Sequence, residues 1–130
     1  MTLKIIRLEL ARTAEFPNGS PAHGYEFTAP LDASGQLDIE RWKDVKDACS
    51  VRRFWAGEED EHGVLLCTKG GRWVFSYAPG VDDDEPIFRF ASHGFREGEY
   101  VSITEHDGEM RPFRVASVRT APLAGARRTA

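Results

Sequence analysis

The sequence is short of several things. It has only two cysteines, Cys49 and Cys67, in 130 residues. That excludes a disulfide-rich secreted scaffold. No apolar run approaches the roughly 18 residues a membrane span needs, so no transmembrane helix is expected. The opening stretch, MTLKIIRLELAR, carries a charge every few residues and no small-residue cleavage site. It does not read as a secretory signal, and a cytoplasmic protein with free thiols is the expectation. Metal and nucleophile motifs are missing as well. There is no C-x-x-C, no H-E-x-x-H, no G-x-S-x-G and no G-x-x-x-x-G-K-[ST]. No cofactor and no metal are therefore expected.

What is present is ordinary globular composition. Hydrophobic residues make up 41%, aromatics 11% and charged residues 29%, a mixture that folds rather than one that stays disordered. The length fits one domain, placed at residues 1–119, with 120–130 (TAPLAGARRTA) expected to be a disordered tail. The formal net charge of −4 is unevenly spread. Glu58–Glu61 form one acidic run and Asp82–Glu85 another. The rest of the chain holds 13 acids against 17 bases, a net of +4. Runs of this kind read as solvated loops, because neither has the D-x-[DN]-x-[DN]-G spacing of a calcium loop.

Alternation with period two dominates the chain. Leu3–Arg12 puts Ile6, Leu8 and Leu10 on one face, with Arg7 and Glu9 on the other. Glu15–His23 is a Pro/Gly/Asn/Ser connection, and Gly24–Leu31 is a second strand. Further strands are read at Val51–Trp55, Val64–Thr68, Arg72–Ala78, Ile87–Ala91, Tyr100–Glu105 and Pro112–Arg119. Gly70-Gly71 and Asp107-Gly108 act as hairpin turns. A single amphipathic helix is predicted over about 39–49. Asp38 is its N-cap, and Ile39, Trp42, Val45, Ala48 and Cys49 lie on one face. The fold class is thus α+β, mostly β: a curved antiparallel sheet or small β-barrel of about eight strands with one helix packed on it.

Three features bear on function. The histidines His23, His62 and His93 each precede a glycine, and His106 opens His106-Asp107-Gly108. They read as water-facing residues at turns. His93 is the candidate for a general acid or base. Cys49 and Cys67 read as small buried hydrophobes, and Cys49, near a helix C-terminus, would find no support for a thiolate at the negative end of the helix dipole. Eight of the 13 arginines lie within two residues of an aromatic. Arg52, Arg53, Trp55, Arg72, Trp73 and Arg89 are accordingly the candidate ligand or partner residues. Neighbours on a strand point to opposite faces, so the simplest picture places the aromatics in the core and the arginines outside.

The last hairpin, FREGEYVSI (95–103) followed by RPFRVAS (111–117), resembles the flavin barrel of ferredoxin-reductase enzymes. There an F-x-x-G-Q-[FY] strand precedes R-x-[YF]-S-[IVL]-x-S. The resemblance implies that Arg111 faces the flavin phosphate and that Phe113 stacks on the ring. It covers under a fifth of the chain, and Glu99 and Arg114 stand where the family has Gln and Ser.

Three functions compete on this reading. The favoured one is a small soluble, non-enzymatic binding or adaptor domain that recognises a protein or small ligand through barrel-end loops. The second is a single-stranded nucleic-acid-binding barrel that uses the arginine and aromatic strands, which predicts affinity falling steeply with salt. The third is a small enzyme with a His and carboxylate site. A monomer or an edge-paired homodimer is expected, with no membrane contact.

Overall fold

The computed structural model describes residues 3–68, 73–77, 85–88, 94–105 and 107–121. The alternation seen in the sequence becomes eight strands: β1 (Leu3–Leu10), β2 (Ser20–Pro30), β3 (Ser50–Trp55), β4 (Glu61–Cys67), β5 (Trp73–Ser76), β6 (Glu85–Phe88), β7 (Tyr100–Thr104) and β8 (Met110–Thr120). Each pairs antiparallel with the next in chain order. β1 also pairs with β8, so the strongly curled sheet closes on itself as an up-and-down barrel. The predicted α+β, mostly β class holds. No helix among the described residues is long and apolar enough to cross a membrane.

The bore is filled by the inward half of each alternation. Ile6, Leu8 and Leu10 from β1 meet Tyr25, Phe27 and Ala29 from β2. Leu65, Phe75, Val101, Ile103, Phe113 and Val115 come from the later strands. Rings interlock at the centre. Tyr25 lies 5.1 Å from both Phe75 and Phe113, and Phe27 lies 5.1 Å from Phe75. Offset and edge-on pairs at this spacing add to simple area burial.

The helix is shorter than its apolar stripe suggested. α1 spans Ile39–Val45 and gives way to a 3₁₀ turn over Lys46–Ala48. Asp38 caps it as predicted, accepting from the Arg41 amide at 3.1 Å. Val45 leaves the helical region with φ −125°, which tightens the last turn. Ile39, placed on the apolar face by its spacing, is exposed. Trp42 is the only buried residue of α1. Its indole N–H donates to the Leu65 carbonyl at 3.0 Å, and its ring stands edge-on to Trp73 at 5.5 Å. Together with Cys49 and Phe95, these residues extend the core under the helix at one end of the barrel.

Several boundaries differ from the sequence reading. β2 begins at Ser20, within the predicted connection, because the β1–β2 register jumps from Glu9↔Gly24 to Leu10↔Ser20 and bulges out the intervening residues. β4 begins at Glu61, so the end of the first acidic run is strand. β6 begins at Glu85 and includes Pro86, both assigned to a loop from sequence. Gly24, read from sequence as a strand start, and Gly63, read as a turn residue, are both mid-strand. A Cβ on Gly24 would lie 1.9 Å from the Leu8 carbonyl oxygen, and one on Gly63 would lie 2.2 Å from that of Ser76. Both glycines permit a close strand approach that no other residue allows. β8 continues through Thr120, opposite Lys4, and the Ala121 amide donates to the Leu3 carbonyl at 2.8 Å. The remainder of the predicted tail, 122–130, lies outside the described residues, as do Gly70 and Gly71.

Candidate functional site

The barrel end opposite the helix gathers the C-terminal ends of β1, β3 and β7 and the N-terminal ends of β2, β4 and β8. Period two decides which of their side chains turn inward. Arg53 is in phase with the buried Val51, and Glu105 is in phase with the buried Val101 and Ile103. A cation and an anion are thereby forced into the same apolar bore. They satisfy one another. One Glu105 carboxylate oxygen accepts from the Tyr25 hydroxyl at 2.5 Å and from Arg53 Nε at 3.2 Å. The other accepts from an Arg111 terminal nitrogen at 2.7 Å. Glu105 is only 2% exposed and Arg53 6%.

Electrostatics follow from that geometry. Burial alone works against the charge on Arg53. The adjoining Glu105 carboxylate and the Tyr25 side chain together outweigh it and hold the guanidinium above its ordinary value. Arg111 shows the same balance with Glu105 and Asp107. The Asp107 carboxylate lies 3.1 Å from Arg111, and Glu58 and Glu61 lie 3.5 and 3.6 Å from Arg53. The buried ion group thus reaches outward to the loop carboxylates and ties the β3–β4 and β7–β8 connections to the bore.

Trp55 sits half-buried above this group. The Arg53 guanidinium lies 4.3 Å from its ring centre and that of Arg111 5.8 Å. His23 meets the ring edge-on at 4.5 Å and contacts Phe16 at 4.6 Å. His23 Nδ1 and the Ser20 hydroxyl share a 2.7 Å hydrogen bond. His23 is therefore a buried, stacked residue and not a water-facing one. Around this floor stand the exposed Glu58, Glu59 and Asp60, with Asp107 and Glu109 on the neighbouring loop. The rim is rich in carboxylates, rigidly based, and has one aromatic face at its centre.

The sequence-predicted residues divide unevenly over the barrel. Arg53 and Trp55 belong to this end, but Arg53 lies inside the barrel, not on its surface. Arg52 points outward. It pairs with Asp60 at 3.0 Å and Glu26 at 3.7 Å, and stacks 5.0 Å from Phe54. Trp73 is buried at the opposite end against Trp42, which removes it from any exposed recognition face. Arg72, Arg89 and His93, and also His106, lie outside the described residues. His62 is exposed on β4. Glu105, Tyr25 and Arg111 were not singled out from sequence as partners of Arg53.

The roles implied by the flavin-barrel resemblance do not carry over. Phe113 is wholly buried among Tyr25 and its neighbours, so its ring has no free face to offer a cofactor. Arg111 is spent on Glu105 and Asp107. Among the described residues no three His, Cys, Asp or Glu side chains converge as a metal site. Cys49 is fully buried, and burial pushes its thiol up to about 11. No family model, curated protein or solved structure matches this chain.

Proposed function

We propose that this protein is a small non-enzymatic binding module that engages its partner through the barrel end around Trp55. The observation that supports this is the division of the barrel. The bore is filled with side chains, and α1 covers one end. The other end presents loops anchored on the Arg53–Glu105–Arg111 group. A rigid scaffold carrying exposed loops is the usual arrangement for recognition. An internal ligand, by contrast, would need the space that Tyr25, Phe27, Phe75 and Phe113 occupy.

The rim carboxylates suit a partner segment bearing Lys or Arg, with Trp55 as the central aromatic anchor. They disfavour a nucleic acid strand, and Arg52 and Arg53 are already committed to carboxylates. We read the module as monomeric and intracellular. Closure of the sheet gives each strand two neighbours, which removes the simplest route to edge pairing.

The test is quantitative capture from the host with three baits. These are the wild type, a rim variant (Glu59→Lys with Asp60→Lys) and an opposite-pole variant, Glu40→Lys. The expected result is a partner retained by wild type and Glu40→Lys and lost from the rim variant. A capture profile identical across all three baits overturns the reading.

A further inference from the structure

A separate cleft opens on the outer wall of the barrel. Because Phe113 and Val115 face inward, Arg114 between them faces out. By the same alternation Glu9, between Leu8 and Leu10, faces out. Register sets Tyr100, Arg114 and Glu9 side by side across β7, β8 and β1. At about 4.8 Å between strands, the row is roughly 10 Å long. The chain leaving β1 through Arg12 and returning at Asn18 walls one side and encloses about 230 Å³.

The charges in this row are unequally satisfied. Glu9 is held by Arg7 at 2.8 Å. Arg114 reaches Glu9 only at 3.9 Å, beyond hydrogen-bond distance. Arg12 is exposed and meets no carboxylate among the described residues. The cleft therefore holds two guanidiniums with free donors and a single carboxylate that another arginine already neutralises. Tyr100 lies beside them, 58% exposed. An exposed ring next to under-used guanidinium forks is a poor arrangement for stability alone. It suits a ligand carrying a flat group and an oxyanion. Guanidinium matches phosphate or carboxylate oxygens in two-pronged fashion, and tyrosine offers a stacking face.

We propose that this cleft binds a small oxyanion borne on a flat ring, with the anion between Arg12 and Arg114 and the ring on Tyr100. The proposal does not depend on the rim around Trp55. The cleft lies on the outer wall, and either site can exist without the other.

The test is a heteronuclear NMR titration of the whole chain with phenyl phosphate, inorganic phosphate and phenol as separate probes. Phenyl phosphate is expected to saturate, to move resonances of β7, β8 and residues 11–20, and to bind at least about tenfold more tightly than either fragment. Arg12→Ala and Arg114→Gln should each weaken it about tenfold, the scale of a lost charge-assisted hydrogen bond. Tyr100→Ala should erase the advantage of phenyl phosphate over inorganic phosphate. Arg12 and Tyr100 are exposed, so these variants leave the core intact, and Lys43→Ala is the charge control. Absence of saturation at about 10 mM overturns the proposal. So does equal weakening by Lys43→Ala, which would mean diffuse charge attraction. Once binding is seen, a tyrosine-phosphorylated peptide and a nucleoside monophosphate distinguish the source: the tighter of the two shows whether the ring and anion come from a protein or a free small molecule.

Discussion

Glu105→Gln is the sharpest test of the barrel's ionic base. The substitution keeps the shape of the side chain and removes its charge. Arg53, 6% exposed, is then left in the bore without its nearest anion. Breaking a buried pair by neutralising one partner costs about 3–5 kcal/mol. Arg53 retains Glu58 and Glu61 at 3.5 and 3.6 Å. Both are more exposed, and such pairs return only about 0.2–1 kcal/mol each. Arg111 also keeps Asp107. The net loss should therefore fall near the lower limit, about 3 kcal/mol. For a chain of this size that corresponds to a drop of roughly 10 °C in melting temperature. Urea unfolding followed by circular dichroism, with calorimetry as a second probe, measures both. The double replacement Arg53→Met with Glu105→Leu should cost less than the sum of its two single replacements, because it buries no unpaired charge. If Glu105→Gln costs under about 1 kcal/mol, the group is effectively hydrated and the argument for a rigid base is wrong.

Trp42→Ala should cost about 3–5 kcal/mol in urea unfolding, as an aromatic core truncation that also leaves the Leu65 carbonyl without its indole donor. Gly24→Ala should destabilise by more than the roughly 1–3 kcal/mol usual for overpacking, because the clash at 1.9 Å is with backbone that has no rotamer to yield; chemical denaturation compared with Gly57→Ala, which meets open space and bears only the strain of φ +87°, gives the contrast. Cys67 should react with a thiol reagent at pH 8 in the native state, while Cys49 should label only on unfolding, as peptide mapping after quench will show. The protonated Cys49 thiol favours the fold fully below pH 9.0, and that contribution fades as pH rises toward about 11. Asp32 accepts from the Ser34 hydroxyl and the Gln36 amide, which hold its carboxyl below 3.8. The order it gives to its turn is present above that pH and is lost on acidification below it, as amide shifts of Ser34 and Gln36 will report.

Much of the barrel was legible because alternation is a geometric property of each strand. Ile6, Leu8 and Leu10 announce an inward face in any context, and Asp38 announces a helix start. Boundaries failed where tertiary pairing overrode local chemistry. Pro86 sits in a strand because Val74 lies opposite it, and Gly24 and Gly63 lie mid-strand because other backbones press against them. Neither fact is local. The site failed for a different reason. Arg53 was assigned outside on the habit of its residue type, although its phase with Val51 places it inward. Glu105 has the same phase relation to Ile103. Those two phases, taken together, contain a buried pair of opposite charge, but only closure of the sheet brings β3 and β7 within reach across the bore. Trp73, a candidate partner residue from sequence, is buried instead, because the helix that covers it comes from a distant part of the chain.

The pairing of β1 with β8 has a consequence for synthesis. Ile6, Leu8 and Leu10 leave the ribosome ahead of the other strands of the barrel, yet the partners that complete their ladder, Phe113 to Thr120, are made more than a hundred residues later. Throughout that interval β1 can have β2 on one side and nothing on the other. A nascent chain in that state offers an unprotected strand edge backed by apolar side chains, a recognised hazard for mispairing. The charges flanking those apolar positions, Arg7 and Glu9, are well placed to discourage mispairing. The seam where the barrel finally shuts joins the segments most distant in the chain, and the loop-closure entropy of pairing is greatest there.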